Sequence, residues 1–327
     1  MKLRKIIIDI TVILFAFLLF VIWHQSSFEN KALMTISRVK YFEVHLITTD
    51  KEYQYWDFIN QGAADMAKAV GIKYVWDAPS ERNVEKQIEV INKAVETGAD
   101  ALLVAADDPK LISGAIEDAK AKGVKIVYVD SPAYEEAITT LATDNYEAGK
   151  LAGETMLSLL TEMGIDHGSI GIVSVKSKAN TQLREIGFRD AIANDKRYNI
   201  IKTVETERGD AKEAQLASEK MIMENEDLVA LFGTNEGTSI GVGNAIKANN
   251  NRYIGIGFDQ TDAMMELLKE GSIKAIIAQN PYTMGYLGVA EAVAALLGKD
   301  TGPDYINTGS FVIRNKEGRG AKWDQEK

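Results

Sequence analysis

The stretch Leu228–Gln279, LVALFGTNEGTSIGVGNAIKANNNRYIGIGFDQTDAMMELLKEGSIKAIIAQ, decides the fold. Its runs LVALFG, YIGIGFD and KAIIAQ are short, apolar and rich in residues that favour strands. Helical patterns over 236–248 and 260–270 separate these runs. Strands that alternate with helices predict a parallel sheet with helices on both faces.

The same alternation begins at Glu43 and continues through the chain. In the first half, the runs EVHLITT, KYVW, ALLVAA and KIVYVD are separated by helical patterns over 55–70, 81–97 and 110–122. The second half adds SIGIVSV and NIIKTVET, with helical patterns over 180–194, 211–225 and 282–297. We therefore predict an α/β protein with two doubly wound parallel-sheet lobes. Ligands of such sheets bind beyond the carboxyl ends of the strands, so a cleft is expected between the lobes.

The composition excludes several classes of protein. The chain of 327 residues has a formal net charge of −10 and no basic cluster beyond its first five positions, so we expect no nucleic-acid partner. It contains no cysteine, which excludes disulfides, zinc–thiolate sites and cysteine nucleophiles. His24, His45 and His167 lie far apart in the sequence and predict no metal site. We expect neither a metal nor a cofactor.

The N-terminal run Ile6–Trp23 is apolar and interrupted only by Asp9. As a helix it would span ~27 Å, close to the ~30 Å hydrocarbon core of a bilayer. Lys2, Arg4 and Lys5 precede it. The positive-inside rule then places the N-terminus in the cytoplasm and the remainder of the chain outside.

A cleaved secretory signal is the alternative for this segment. The apolar region of a signal is ~7–15 residues long, and cleavage favours small residues two positions apart. No such pair occurs between Phe20 and Met34, and the first is Thr35-Ile36-Ser37. We therefore predict an uncleaved single-pass anchor over 1–24, followed by a linker over 25–42.

Two motifs that suggest enzymes do not have the right context. GTSIG matches the G-x-S-x-G elbow of serine hydrolases, but Ser239 lies inside a predicted helix and no histidine follows His167. GIGFDQ lacks the third glycine and the later acidic residue of a dinucleotide fingerprint. The sequence leaves a glycosidase pair of carboxylates open but marks no pair as special. We predict a non-enzymatic protein without catalytic residues.

Polar and aromatic residues gather at the predicted carboxyl ends of strands. They are Asp130, Asn235, Asp259 and Gln279, with Arg184 at the start of REIGF and the aromatic cluster Tyr53, Tyr55, Trp56 and Phe58. Each has a structural alternative, because Asp and Asn are common helix N-caps and aromatic residues at a helix start are commonly core. Together they predict a polar pocket with an aromatic wall, suited to hydroxyl groups and to the C–H face of a sugar.

With these residues the sequence resembles the type I periplasmic binding proteins for monosaccharides, the ribose, xylose, galactose and allose group. The resemblance runs from about residue 43 to about residue 314. It is carried, in order, by GAADMAKAVGIKYV, LATDNYEAGKLAGE, REIGFRDAI, FGTNEGTSIGVGNAI and IGIGFDQTDAMMELLKEGSIKAIIAQNPYTMGYLGVAEAV. By position it implies sugar hydrogen bonds from Asp130, Arg184, Asn235, Asp259 and Gln279. It implies aromatic stacking by Tyr55, Trp56 and Phe258.

One segment departs from the family. Many ribose binders carry Asn-Asn-Pro-Phe-Phe after the first strand, where this chain has DKEYQYW. The bulkier rings favour a pentose over a hexose without naming the sugar. The family also implies crossovers between lobes near Thr143, Asn280 and Ile306. The resulting lobes are an N-lobe over 43–143 plus 281–306 and a C-lobe over 144–280 plus 307–327.

The resemblance implies that the lobes close around a small-molecule sugar. The main hypothesis is a membrane-anchored sensor, most like the xylose-sensing binding proteins, that binds a D-xylose-like pentose and signals to a transmembrane histidine kinase. Its N-terminal helix would hold it in the membrane. The alternative is the soluble binding component of a sugar ABC importer, which is released after signal cleavage and delivers sugar to a permease. A hydrolase in the same cleft is a third hypothesis.

Overall fold

The computed structural model describes residues 41–176 and 178–315, together with the backbone of 324–326. The predicted membrane anchor over 1–24 lies outside these residues, as does most of the predicted linker. Among the helices that are described, none is long and apolar enough to cross a bilayer.

The first sheet draws its strands from both ends of the described chain. They are β1 (Glu43–Ile47), β2 (Lys73–Asp77), β3 (Ala101–Val104), β4 (Lys125–Val129), β5 (Thr140–Ala142) and β12 (Tyr305–Asn307). Their order is β12-β5-β4-β3-β1-β2, and every neighbouring pair is parallel. Val44 and Leu46 enter one core cluster and Ile47 enters another, so both faces of the sheet are covered.

The second sheet is built from the middle and the end of the chain. Its strands are β6 (Gly168–Val175), β7 (Tyr198–Ile200), β8 (Val204–Thr206), β9 (Leu228–Gly233), β10 (Ile254–Phe258), β11 (Ala275–Gln279), β13 (Ser310–Arg314) and β14 (Asp324–Glu326). The order is β14-β13-β11-β10-β9-β6-β7, and β8 also pairs with β6. Its strands run parallel except β13, which is antiparallel to both β11 and β14. The prediction of parallel α/β sheets is thus confirmed, with an antiparallel edge that was not foreseen.

The helices cover the faces of the two sheets. They are α1 (Gln54–Val70), α2 (Val84–Glu96), α3 (Pro109–Ala121), α4 (Asn145–Glu162), α5 (Ala179–Ile192), α6 (Ala211–Glu224), α7 (Glu236–Ala248), α8 (Asp262–Glu270) and α9 (Pro281–Leu296). Helices α1–α3 and α9 pack on the first sheet and form the N-lobe with it. Helices α4–α8 pack on the second sheet and form the C-lobe.

The chain passes between the lobes at three places. It leaves the first sheet after Ala142, returns after Gln279 and leaves again after Asn307. Asn280 connects two of these crossings, because its Nδ2 donates to the carbonyl oxygen of Thr308 over 2.6 Å. The crossings are therefore short backbone segments that lie beside one another, a geometry suited to a hinge.

Glycines allow pairs of helices to approach closely in both lobes. In the N-lobe, a methyl group on Gly62 of α1 would overlap the carbonyl oxygen of Tyr282 of α9. In the C-lobe, a methyl group on Gly149 of α4 would overlap the carbonyl oxygen of Arg184 of α5. Each contact joins a helix that begins at a crossing to a helix that carries residues of the predicted pocket.

Two features of the second lobe differ from the predicted elements. The run NIIKTVET was predicted as one strand but forms β7 and β8, which pair with opposite ends of the long strand β6. Helix α4 was not predicted at all. Small residues such as Ala148, Gly149, Ala152 and Gly153 form the first half of its buried face, so large buried apolar residues begin only at Met156.

Candidate functional site

A cavity of about 490 Å³ lies between the lobes, where the carboxyl ends of strands from both sheets face each other. Its wall includes all the predicted site residues except Phe258. They are Tyr55, Trp56, Asp130, Arg184, Asn235, Asp259 and Gln279. The fold thus brings together residues as distant in sequence as Tyr55 and Gln279, as the strand-end pattern predicted.

The N-lobe supplies an aromatic wall and one carboxylate. Tyr55 and Trp56 occupy the first turn of α1, with ring centroids 5.1 Å apart in an edge-on arrangement. The Tyr55 hydroxyl donates to Asp130 Oδ1 over 2.7 Å. Burial and the neighbouring Asp130 carboxylate raise the pKa of Tyr55 well above its ordinary value, so the hydroxyl stays protonated and remains a donor.

Asp130 directly follows β4 in the left-handed backbone region, with φ of 64°. Its N–H donates to the carbonyl oxygen of Leu141 on the adjacent strand, which fixes the turn. Aspartate is one of the few residues other than glycine that tolerates this conformation. Burial raises the pKa of its carboxyl group, and the positive charge of Arg184 opposes that rise.

Arg184 is more deeply buried than Lys178, the other buried cation that the C-lobe contributes to the wall, with 2% of its surface exposed. Its Nε donates to Asn145 Oδ1 over 2.8 Å and one terminal nitrogen donates to the carbonyl oxygen of Thr234 over 2.9 Å. The guanidinium also lies 4.1 Å from the ring centroid of Phe258. Its position is therefore fixed on three sides while its charge acts on the cavity.

Phe258 has a different place from the one predicted. It is fully buried in the C-lobe core and does not contribute to the cavity wall. As a β10 residue it points under Arg184 rather than toward a ligand, because successive side chains of a strand point to opposite faces. Its contact with the guanidinium supports the site from behind.

Asp259 and Gln279 follow or end neighbouring strands of the C-lobe. Gln279 Nε2 donates to Asp259 Oδ1 over 2.7 Å. Asp259 also has a positive φ, 74°, and its N–H donates to Ile277 on the next strand. Burial raises the pKa of Asp259 to about 6, even though the charge of Arg184 lowers it.

Asn235 lines the cavity but is largely occupied by a structural role. Its Oδ1 accepts from the N–H of Thr238, and its own N–H donates to the Thr238 hydroxyl oxygen, so the two residues form a capping box for α7. The amide nitrogen is left as the group able to donate to a ligand. Both interpretations of a strand-end asparagine, cap and binding residue, are therefore compatible at this position.

Several cavity residues were not predicted. They include Asp50 after β1, Arg82 before α2, Lys178 and Asn180 at the start of α5, and Glu236 at the start of α7. Asp50, Lys178 and Glu236 each lie three residues beyond a strand, so the strand-end rule could have found them. Arg82 and Asn180 lie five residues beyond a strand and carry a weaker signal.

These residues connect the lobes across the cavity mouth. Arg82 and Lys178 both contact Asp107 Oδ1, and the Lys178 distance is 3.3 Å. Asn180 Nδ2 lies 3.4 Å from Asp130 Oδ2. Burial and the charge of Asp259 raise the pKa of Glu236 to about 8. The cavity is thus enclosed by polar contacts between lobes.

The serine of GTSIG is structural. Ser239 is fully buried; its hydroxyl donates to the carbonyl oxygen of Gly233 over 3.1 Å and accepts from the N–H of Phe258 over 2.9 Å. It therefore links β9 to β10 beneath the cavity. His45 pairs with Glu43 within β1, and the exposed His167 lies beside Asp166, so neither imidazole reaches Ser239.

Comparison with known families supports a binding protein. A family described as "Periplasmic binding protein domain" matches residues 44–300. The ribose import binding protein of Haemophilus influenzae is 26% identical over 242 residues, which cover 74% of this chain and 81% of the relative. The ribose import binding protein of Bacillus subtilis is 26% identical over 261 residues, covering 80% and 83%.

Solved structures are similar over the same part of the chain. A carbohydrate transporter solute binding protein from Agrobacterium radiobacter, in complex with D-arabinose, has a TM-score of 0.79 and 25% identity, covering 84% of this chain and 94% of that one. An ABC transporter solute binding protein from Agrobacterium vitis, bound with alpha-D-tagatopyranose, has a TM-score of 0.78 and 26% identity with the same coverage.

These relatives are solute-binding proteins, not enzymes, which confirms the prediction of a non-enzymatic protein. Their names describe import components. They therefore favour the importer alternative over the membrane sensor, and they give no support to a histidine kinase partner.

Proposed function

This chain belongs to the periplasmic binding protein domain family, and on that premise we propose that it is the extracytoplasmic, monosaccharide-binding component of an ABC-type importer. One observation carries the proposal. Asp130 from the N-lobe and Arg184 and Asp259 from the C-lobe converge, buried, on a single cavity between the lobes. A ligand that fills this cavity contacts both lobes at once.

The chemistry of the wall is suited to a neutral polyhydroxylated ligand. Carboxylates accept hydrogen bonds from hydroxyl groups, and the arginine offers a rigid fork of donors to ring and hydroxyl oxygens. The edge-on pair of Tyr55 and Trp56 offers an apolar surface to the C–H face of a sugar ring. Asp130, Arg184 and Asp259 are thus proposed as the principal hydrogen-bonding residues, with Asn235 and Gln279 beside them.

We further propose a pentose, D-xylose-like in size, as the ligand. Support comes from the ribose import relatives and from the relative crystallised with D-arabinose. It also comes from Tyr55 and Trp56, two bulky rings that form part of the cavity wall on the N-lobe side. A hexose adds a hydroxymethyl group that must be accommodated in the same enclosed space.

The proposed mechanism is lobe closure about the three crossings. Sugar contacts residues of both lobes only when they are together, so it shifts the equilibrium toward the closed form by its differential affinity. In the importer, a permease then receives the closed, loaded protein. The segment Ile6–Trp23 would serve as the export signal, and a native N-terminus downstream of it, measured by mass spectrometry, would distinguish this role from an anchor.

A thermal-shift panel of pentoses and hexoses tests the function. A bound sugar raises the unfolding midpoint by mass action, so at least one pentose is expected to do so more than any hexose. In Asp130→Asn, a residue that still tolerates positive φ, the affinity for that sugar should fall at least about tenfold because an ionised acceptor is lost. A wild-type chain indifferent to every sugar contradicts the proposal.

A further inference from the structure

Four helices in the described part of the chain lack a side-chain cap of their own, and two of them, α1 and α8, begin beside the opposite lobe. The N-cap residues of the other described helices accept a backbone N–H with their side chains, namely Asn83, Asp108, Asp144, Asp210 and Asn235. Tyr53 before α1 and Thr261 before α8 make no such side-chain hydrogen bond. The first turn of a helix has N–H groups without intrahelical partners, so these two ends need acceptors from elsewhere.

Helix α1 of the N-lobe takes its acceptor from the C-lobe. Glu236 Oε2 lies 3.2 Å from the backbone nitrogen of Tyr55, which is the second residue of α1. A side-chain oxygen in this position satisfies a free N–H and lies at the positive end of the helix dipole. Either protonation state of the carboxyl group retains an oxygen that can accept this bond.

Helix α8 of the C-lobe takes its acceptor from the N-lobe. Gln54 Oε1 accepts from the N–H of Asp262, the first residue of α8, over 2.7 Å. The same side chain returns a hydrogen bond, because Gln54 Nε2 donates to Asp262 Oδ2 over 3.0 Å. Gln54 and Tyr55 are adjacent, so one turn of α1 both gives a cap to the opposite lobe and receives one from it.

We propose that Gln54 and Glu236 form a reciprocal cross-cleft cap, and that they are positioning residues for ligand binding. Glu236 holds the backbone of Tyr55, whose hydroxyl in turn holds Asp130. The cap therefore couples closure of the lobes to the placement of a carboxylate and a ring in the cavity. The role in ligand affinity rests on the proposed function, whereas the role in closure does not.

The energetic consequence follows from where the partners lie. Each cap joins different lobes, so separation of the lobes breaks both caps and exposes both helix ends. The caps therefore favour the closed form, and the apparent affinity of a ligand depends on the fraction of protein in that form. Loss of one N-cap typically costs about 1 kcal/mol, which corresponds to an affinity about fivefold weaker.

Gln54 provides the sharper test because it does not line the cavity, whereas Glu236 does. We would compare Gln54→Ala with Gln61→Ala, an exposed residue of the same helix, in the full chain. The chain has no cysteine, so Glu89→Cys on α2 and Lys212→Cys on α6 give one label site in each lobe. Distances between spin labels at these sites report the closed fraction directly.

In the ligand-free protein, the distribution of distances between the two labels is expected to include the short distance of the closed form. Gln54→Ala should lose this short distance, whereas Gln61→Ala should retain it. With the sugar identified by the panel, Gln54→Ala should bind about fivefold more weakly, mainly through faster dissociation. Glu236→Gln, which keeps an acceptor oxygen, should retain the closed fraction that Glu236→Ala loses.

The outcomes separate the two proposals. A wild-type distribution without the closed separation, or one that Gln54→Ala leaves unchanged, overturns the cross-cleft cap. So does equal sugar affinity in wild type and Gln54→Ala. A chain that binds no sugar but shows the expected change in label distances overturns the proposed function and leaves the cap supported.

Discussion

Asp130 and Asp259 occupy equivalent positions in the two lobes. Each directly follows a strand, β4 or β10, and each has a positive φ, 64° and 74°. Each donates its N–H to the neighbouring strand, to Leu141 in one lobe and to Ile277 in the other. Both carboxyl groups are buried and face the same cavity.

The two residues differ in where their partners come from. Asp259 receives its hydrogen bond from Gln279 within its own lobe. Asp130 receives one from Tyr55 in its own lobe and lies within 3.4 Å of Asn180 in the other. The side-chain hydrogen-bond partner of Asp259 therefore comes from the C-lobe, whereas the polar contacts of Asp130 come from both lobes. The contacts of Asp130 depend more directly on the relative position of the lobes.

The largest effect on both residues is expected from removal of Arg184, the cation that lies near the two carboxyl groups. Arg184 lowers the pKa of Asp130 and of Asp259, and it is buried with fixed partners. Arg184→Ala should lower the free energy of unfolding by about 3–5 kcal/mol, because two buried acidic groups lose their compensating charge. Urea denaturation measures the loss.

Arg189→Ala is the matched control for this change. It lies on the same helix but is more exposed, and it pairs with Glu185 four residues away. Such pairs contribute little, so the free energy of unfolding should change by at most about 1 kcal/mol. Equal losses in the two variants would mean that Arg184 contributes only as an ordinary helix residue.

A second prediction concerns the contribution of Asp259 to the pH dependence of the unfolding free energy. The pKa of Asp259 is raised from 3.8 to about 6 by burial, so the folded protein holds this proton more tightly than the unfolded chain. The resulting stability is fully present below pH ~4 and is lost as the pH rises to ~6, with a total on the order of 3 kcal/mol. Asp259→Asn keeps the oxygen that Gln279 contacts and tolerates positive φ.

Asp259→Asn should therefore flatten the dependence of unfolding free energy on pH between about 4 and 6 and be more stable than wild type at pH 7.5. Its sugar affinity should fall. Asp118→Asn, an exposed position on α3, should follow the wild-type curve. Parallel curves for wild type and Asp259→Asn would show that this carboxyl group titrates normally. The pKa of Glu236, raised from 4.5 to about 8, adds a decline between those pH values, and this decline should be smaller in Asp259→Asn because the charge of Asp259 contributes to the shift.

The smallest effect is expected from a substitution that changes the surroundings of Asp130 and leaves the hydrogen bond of Asp259 intact. Tyr55→Phe removes the hydroxyl donor to Asp130 and leaves Asp259 and Gln279 untouched. A hydrogen bond to a charged group contributes about 1.5 kcal/mol or more, so calorimetric titration should show sugar affinity about tenfold weaker. Tyr74→Phe loses a hydroxyl contact to Asn60 in the same lobe, outside the cavity, and should bind as wild type does.

Most of the fold could be predicted from the sequence because its strands and helices alternate with clear boundaries between them. The pattern over 236–248 matches α7 residue for residue, and that over 211–225 ends one residue beyond α6. The prediction missed elements that carry no clear hydrophobic periodicity and are held in place by packing. Helix α4 is held by small residues against α5, and β5 and β12 are too short to carry a pattern of their own.

The site was predictable where a side chain ends or directly follows a strand. Asp130 and Asp259 directly follow β4 and β10, Gln279 is the last residue of β11, and all three line the cavity. Phe258 lies one position before Asp259, so its side chain points to the opposite face of the sheet and enters the core. Gln54 and Glu236 could not be paired from sequence, because their contacts run between lobes that only the folded chain brings together.

The close contacts at Gly62 and Gly149 join helices of each lobe so tightly that the lobe should move as one rigid body. Helix α9 begins at a crossing and is pressed against α1, which carries Tyr55; helix α4 begins at a crossing and is pressed against α5, which carries Arg184. At these points the two helix backbones are in direct contact, so the helices have little room to shift relative to each other. Rotation of a few backbone torsions at the crossings should therefore move the pocket residues as rigid arms, with no rearrangement of the core.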